Sequence, residues 1–435
     1  MMNYRSSHLI ARRYQELYTK FHRGKKKPSM FNQFRNKGSP AEIAKDYFDL
    51  NYSKVFKAKW PGMRCAMLSR KKYCNILNSY ADFEQYQDEI ISSGAYDFIS
   101  KLHENATEKN AELKNKINEL EKEMSNESKQ LPNEDRDEMT TSEVKSKSSQ
   151  LEQNIDLLEE LNSSLQTCSQ LEKVCMGVHA YVYPKGDFTE FKGEIKNSLY
   201  LSFFLDASSI LPVLALNPIP GDHILDLCAA PGGKFNIMVQ SLGNSAHIVA
   251  NDIDSKRGHR IKKVLKEYLP KTSSIHNHVK VVRFDGTQWL DQETEAYSKV
   301  LVDVPCTTDR ISMYEPKIEY DNIFCNQRKR ERGRLPEIQS NLLKNAILAC
   351  QPGGTIVYST CTASALQNEF VVQYTIQEMY ENYQILCEVE DLSLLTRFLQ
   401  DEFHFHDDQP IGTLVIPQLD ANFGPTFICR LHRVT

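Results

Sequence analysis

Five short apolar runs mark the C-terminal half of the chain: HILDL at 223–227, HIVAN at 247–251, VKVVRF at 279–284, VLVDV at 300–304 and GTIVYS at 354–359. Each is followed by turn residues and, in most cases, by apolar residues at helical spacing, as from Lys256 to Leu269 and from Leu335 to Cys350. Strand and helix in alternation predict an α/β fold with a doubly wound, mostly parallel sheet covered on both faces. A late run, FGPTFICRLH at 423–432, predicts a last strand at an antiparallel edge.

The N-terminal half reads differently. From Ala41 to about Ile99, Tyr, Phe and Leu recur at helical spacing without strand-like alternation, so a small helical lobe is expected over 41–103. Between Phe98 and Tyr181 there is no Phe, Tyr or Trp, and Glu, Lys, Asn and Ser dominate, so this stretch cannot build a core of its own. It still carries periodicity: Leu113, Ile117, Leu120 and Met124, then Leu151, Ile155, Leu158 and Leu165 beyond a polar break at Pro132. An antiparallel helical hairpin with a disordered tip is expected over 104–177, with a partner-binding coiled coil as the alternative. The catalytic domain then covers 178–435.

Composition changes the picture at three points. Over the whole chain of 435 residues the formal charge is -4, which excludes a polycationic surface, but residues 1–40 carry ten Lys or Arg against Glu16 alone. With Leu9, Ile10, Leu17 and Phe21 spaced for one apolar helical face, this segment has the look of a mitochondrial presequence, a basic tail or RNA-touching arm being the alternative. No apolar run approaches the roughly 18–20 residues that cross a bilayer, so membrane insertion is not expected. The eleven cysteines show no Cys-x-x-Cys, which argues for a reducing compartment and against both a disulfide framework and a metal site.

Candidate chemistry sits at the ends of the runs. The first ends in Asp226 and enters CAAPGGK (228–234), a small-residue turn opening a helix, where backbone N–H groups favour an anion or carboxylate. It is neither G-x-G-x-x-G nor a P-loop, which favours S-adenosylmethionine over a dinucleotide. Asp252, about 20 residues on, suits ribose hydroxyls, and Asp285-Gly286 suits an adenine amino group. Either acid alone could instead be a helix N-cap. The fourth run delivers Asp303, Pro305 and Cys306, and the fifth delivers Cys361, so that both cysteines project over one crevice.

CAAPGGK, LVDVPC and YSTC, in that order and spacing, resemble the Sun-domain (Fmu/RsmB-type) RNA cytosine-5 methyltransferases. LDASSILPVLAL (205–216), VDVPCTTDR (302–310), LQNEFVVQ (366–373) and ANFGP (421–425) look like the branch that modifies mitochondrial small-subunit ribosomal RNA. The resemblance implies a class I, Rossmann-like methyltransferase domain. It implies that Cys361 is the nucleophile that adds to carbon-6 of cytosine, that Cys306 assists product release, and that Asp303 recognises the base. It implies a pocket for S-adenosylmethionine lined by Gly232, Gly233, Lys234, Asp252, Arg257, Asp285, Gly286 and Asp303. It also implies the mitochondrial matrix, the small ribosomal subunit and a helical-repeat partner of the mitochondrial transcription-termination-factor type.

RNA needs local positive charge. Arg328, Lys329, Arg330, Arg332 and Arg334, following the Pro-Cys turn, are expected to form a phosphate-holding loop, a solvated surface loop being the alternative. Three other functions stay open from sequence: a mitochondrial transfer-RNA methyltransferase, an assembly factor whose main role is non-catalytic, and a nicotinamide-dependent dehydrogenase. The last is disfavoured by the missing G-x-G-x-x-G.

Overall fold

The computed structural model describes residues 38–129, 141–314 and 321–435. The presequence-like segment and the tip of the insertion lie outside these residues. Helix α1 (Pro40–Phe56) opens with a capping box, in which the Ser39 hydroxyl accepts from the Glu42 N–H and the Glu42 carboxylate accepts from the Ser39 N–H, with Pro40 in the first turn. Helix α2 (Trp60–Leu68) follows. Phe48, Tyr52, Phe56, Trp60, Met63 and Met67 form a continuous apolar face across the two helices, buried against the large sheet described below.

The N-terminal lobe is not purely helical. Strand β1 (Cys74–Leu77), helix α3 (Glu84–Ser92) and strand β2 (Tyr96–Asp97) come next, and β1 has all four residues buried, so it shows no alternation. Helices α4 (Phe98–Lys129) and α5 (Thr141–Leu171) then form the insertion. Beyond it, β3 (Ala180–Val182), a small hairpin of β4 (Ile195–Lys196) and β5 (Leu199–Tyr200), and β6 (Ser202–Leu205) follow. They complete an antiparallel sheet in the order β2-β3-β1-β6, with Ile76 opposite Ala180 and Asn75 opposite Phe204. Residues 178–205, assigned by sequence to the catalytic domain, thus supply half of the lobe's sheet.

The insertion is a helical hairpin. Asn110 on α4 donates to Ser169 and to Glu172 just past α5, and Leu113, Ile117 and Leu120 are buried with Cys168. Ile155, expected in the seam, faces solvent.

After α6 (Leu211–Leu216) the chain alternates β7 (His223–Asp226), α7 (Gly233–Leu242), β8 (His247–Asn251), α8 (Ser255–Tyr268), β9 (Val279–Val282) and β10 (Tyr297–Asp303). It continues with α9 (Asp309–Ser312), α10 (Lys329–Ala349), β11 (Cys350–Thr360), α11 (Glu369–Tyr383), β12 (Cys387–Val389), α12 (Ser393–Phe398), β13 (Thr413–Val415) and β14 (Thr426–Arg433). The strand order is β12-β14-β11-β10-β7-β8-β9, with β13 also on β14. Neighbours from β11 to β9 are parallel and β14 is antiparallel to its partners. The last strand is therefore not the edge: β12, a three-residue strand with one buried position, covers it and was too short to read from sequence.

Burial on both faces explains the near-continuous apolar runs. Ile224, Leu301, Val357 and Ile428 face one core, while Leu225, Val300, Val302, Ile356, Tyr358 and Phe427 face the other, where α1 and α2 pack. Each such aliphatic side chain contributes about 1.5–3 kcal/mol on burial. The order reverses between β7 and β10, so a crevice opens at their carboxyl ends, where Asp226 and Asp303 lie.

Candidate active site

The turn after β7 places Gly232 at φ 108°, a left-handed conformation that favours glycine, as the residue before α7; a Cβ there would also touch Ile261 and Val264 of α8. Gly233 opens the helix and Lys234 follows. The Lys234 Nζ lies 2.6 Å from Asp303 Oδ2, and Ser359 donates to Asp303 Oδ1 at 2.8 Å. Burial alone would lower the Lys234 pKa, but the Asp303 carboxylate more than offsets this and raises it, with the Cys361 sulfur also close enough to act on it.

Asp252, buried just after β8, accepts from the Asp254 N–H at 3.0 Å and pairs with Arg257 at 3.1 Å, while Arg257 also reaches the Ala230 carbonyl. Asp285 accepts from the N–H and hydroxyl of Thr287 through one oxygen, so it does cap the short turn that follows. Gly286 is buried, and a Cβ there would lie 2.8 Å from Leu342 and 3.1 Å from Leu227. Close packing favours a glycine here.

Sequence reasoning left Asp226 out of the site. It is buried between Asp303, Lys234 and Asp252, and neither carboxyl oxygen makes a well-formed hydrogen bond; the Cys228 N–H gives only weak support. Burial first, then the charge of Asp303, pushes its pKa up to about 8. An orphaned buried carboxyl at the switch point suits a ligand bearing an ammonium group, as an amino-acid-like methyl donor does. The unfolded carboxyl ionises near its ordinary ~3.9, so between about pH 4 and pH 8 the folded state holds a proton that the unfolded state has lost. Stability from this residue therefore falls as pH rises through that window. Asp226→Asn is expected to raise the melting temperature of the protein alone, and calorimetry is expected to show a larger gain near pH 8 than near pH 5.

The two cysteines meet. Cys306 Sγ lies 3.2 Å from Cys361 Sγ; Cys361 is exposed to the crevice and Cys306 is buried. The contact with Cys361, reinforced by burial, raises the Cys306 pKa well above its ordinary value, so Cys306 stays a neutral thiol that can donate to its neighbour's sulfur. Thr308, two residues on, has φ 44°, strained for a β-branched side chain, and its N–H donates to Cys306 Sγ at 3.4 Å.

A buried polar network fixes both cysteine turns. Asp309 accepts from Tyr52 of α1 at 2.6 Å, from the Thr307 hydroxyl at 2.6 Å and from the Ala363 N–H at 2.8 Å, and its own N–H donates to the Cys361 carbonyl at 3.3 Å. Gln367 joins Thr307 to Gln339 of α10, which also donates to the Pro305 carbonyl. Arg310, also buried, donates to the Gly424 and Ala66 carbonyls and to Asn422 Oδ1. None of these was a candidate from sequence. Asp309 and Arg310 stand in the quoted VDVPCTTDR segment, which was the available signal; Tyr52 had none.

The expected basic loop is a helix instead. Arg328 ends a short turn and Lys329 to Arg334 open α10, where Arg328 with Glu331 and Arg334 with Glu337 form i,i+3 pairs at 2.6 and 3.1 Å that support the helix. Arg332 lies over the Phe324 ring at 4.6 Å and donates to the Ile323 carbonyl. Lys329 and Arg330 remain exposed. Among the described residues no group of three His, Cys, Asp or Glu could hold a metal ion, and no helix is long and apolar enough to cross a membrane.

The family model described as 16S rRNA methyltransferase RsmB/F matches residues 213–403. The 5-cytosine rRNA methyltransferase NSUN4 of Xenopus laevis is 36% identical over 406 residues, covering 91% of this chain and 91% of its own. The mitochondrial tRNA (cytosine(34)-C(5))-methyltransferase of Danio rerio is 37% identical over 233 residues, 53% of this chain and 60% of its own. The solved structure of PH0851 aligns with a TM-score of 0.52 at 16% identity, over 99% of this chain and 76% of its own, which shows a shared fold.

Proposed function

The chain belongs to the RsmB/F family of RNA cytosine-5 methyltransferases, and from that premise we propose that it methylates a cytosine of mitochondrial small-subunit ribosomal RNA. It is an S-adenosylmethionine-dependent RNA cytosine-5 methyltransferase. The observation that carries the reading of its site is the exposed Cys361 sulfur backed by the buried Cys306 thiol at the crevice mouth.

S-adenosylmethionine, when bound, supplies an electrophilic methyl group. The buried Asp226 and the turn from Gly232 to Lys234 would hold its amino-acid end; Asp252 with Arg257, and Asp285 with Gly286, would hold its nucleoside end. Carbon-5 of cytosine is a poor nucleophile until a sulfur anion adds to carbon-6, which breaks the 5,6 double bond and leaves an enamine. Cys361 provides that sulfur. Asp303, anchored by Lys234 and Ser359, keeps lone pairs for the N3 and amino edge of the base, stabilising its protonated form. Once the ring is methylated, carbon-5 gives its proton to solvent water, the C–H electron pair re-forms the 5,6 double bond, and the bond from carbon-6 to Cys361 breaks with its pair on sulfur. The Cys306 S–H stabilises the departing thiolate.

The mitochondrial matrix is supported by the basic, acid-poor segment at 1–25, and the exposed acidic hairpin α4–α5 offers a surface for a helical-repeat partner of the transcription-termination-factor type during small-subunit assembly. Bisulfite sequencing of mitochondrial RNA after depletion tests the substrate. Loss of a mark in the small-subunit rRNA is expected; loss of a transfer-RNA mark alone would replace this reading with the transfer-RNA one.

A further inference from the structure

Beside the cysteine turns lies a cleft that the chemistry above does not use. Helix α9 hangs from the Cys361 strand end through the Asp309 N–H, and two residues further on Ile311 projects with 73% of its surface exposed, more than any other large apolar side chain among the described residues. Tyr314, also exposed, donates its hydroxyl to the Met67 and Ser69 carbonyls and so clamps the end of α2 alongside. The space between has a volume of about 440 Å³, bordered by Leu68, Arg70, Lys71, Arg310, Ile311 and Tyr314. That is within the range of small-ligand sites.

The walls differ in character. The Arg310 guanidinium is committed to backbone carbonyls and Asn422, so that wall is fixed. Arg70 and Lys71 are at the rim, their side chains 56% and 35% exposed, within ion-pair reach of Glu190 and Asp206. A phosphate entering here would compete with these two acids for both cations. One end of the cleft is thus apolar and aromatic, and the other cationic.

We propose that this cleft seats the nucleotide adjoining the target cytosine, its base against Ile311 and Tyr314 and its phosphate at Arg70 and Lys71. The inference rests on the RNA methyltransferase reading. A base must leave its stack to reach Cys361, and its neighbour then loses a stacking face. An exposed aliphatic side chain two residues from the backbone contact with the nucleophile's loop covers that bared face, as apolar wedges do where bases are unstacked. Ile311 is a positioning residue in this scheme.

The test is methylation of a short RNA and of two analogues in which the 5′ or the 3′ neighbour of the target carries no base. Wild type, Ile311→Ala and Arg70→Gln are compared, with S-adenosylmethionine affinity measured in parallel. Ile311→Ala is expected to lower kcat/KM on the intact RNA by about 10-fold, yet to match wild type on one of the abasic RNAs, with cofactor affinity unchanged. Arg70→Gln is expected to raise KM on all three RNAs and to flatten its dependence on salt. Equal activity of Ile311→Ala and wild type on intact RNA, or the same deficit on every RNA, would overturn the cleft as a nucleotide subsite. A wild-type protein inactive on every RNA would instead overturn the methyltransferase reading, and this inference with it.

Discussion

Cys361→Ala is expected to abolish methyl transfer, by at least about 10³-fold or about 4 kcal/mol of barrier, while binding of labelled S-adenosylmethionine persists. The split follows from the geometry. Removing the sulfur removes the exposed thiol at the junction of the β10 and β11 turns, and Cys306 cannot stand in for it, because it is buried and burial still favours its neutral thiol once the contact with Cys361 is gone. The groups proposed to hold the donor belong to other turns: Asp226, Gly232 and Lys234 after β7, Asp252 after β8, Asp285 after β9. Lys234 would keep its pairing with Asp303 in the variant. Normal turnover in Cys361→Ala would remove the assignment of nucleophile.

Asp309→Ala is expected to be the most damaging change to stability near the site, at about 3–5 kcal/mol. Its carboxyl is fully buried and accepts from the Tyr52 and Thr307 hydroxyls and the Ala363 N–H, and burial raises its pKa. Truncation leaves the Ala363 N–H of the turn after β11 without its acceptor and the Tyr52 and Thr307 hydroxyls with only Thr362 Oγ1 to share, in a dry interior that joins this turn to α1. Urea unfolding is expected to show a lower midpoint with little change in slope. Tyr52→Phe removes one of the three contacts and is expected to cost about 1–2 kcal/mol. A loss below about 1 kcal/mol for Asp309→Ala would mean that the network does not fasten the cysteine turns.

How far the sequence led depended on whether a signal was local. The five parallel strands were legible because burial on both faces writes an apolar, β-branched run, and their functional residues were legible because a doubly wound sheet presents its carboxyl ends to one crevice. Strand β1 was not legible: it is only four residues long, the buried Asn75 interrupts its apolar run, and its partners β3 and β6 return only after the long polar insertion. Tyr52 and Asp309 meet across 257 positions, so nothing local marks their pairing. The basic segment before Leu335 misled for the opposite reason. Counting cations suggested a loop, whereas the acid three residues after Arg328, and again after Arg334, was the helical signal. Asp226 was visible as a strand end, but its lack of hydrogen-bond partners is a property of the folded crevice alone.

The central claim is that Cys361 forms the bond to cytosine and Cys306 helps to break it. It is tested most directly by incubating Cys306→Ala with S-adenosylmethionine and substrate RNA, denaturing the mixture, and mapping any retained RNA by mass spectrometry of the digested complex. The account predicts a protein–RNA adduct that survives denaturation and maps to Cys361 on one side and a methylated cytosine on the other. RNA attached to a different residue, or free turnover of Cys306→Ala with no adduct, would contradict it.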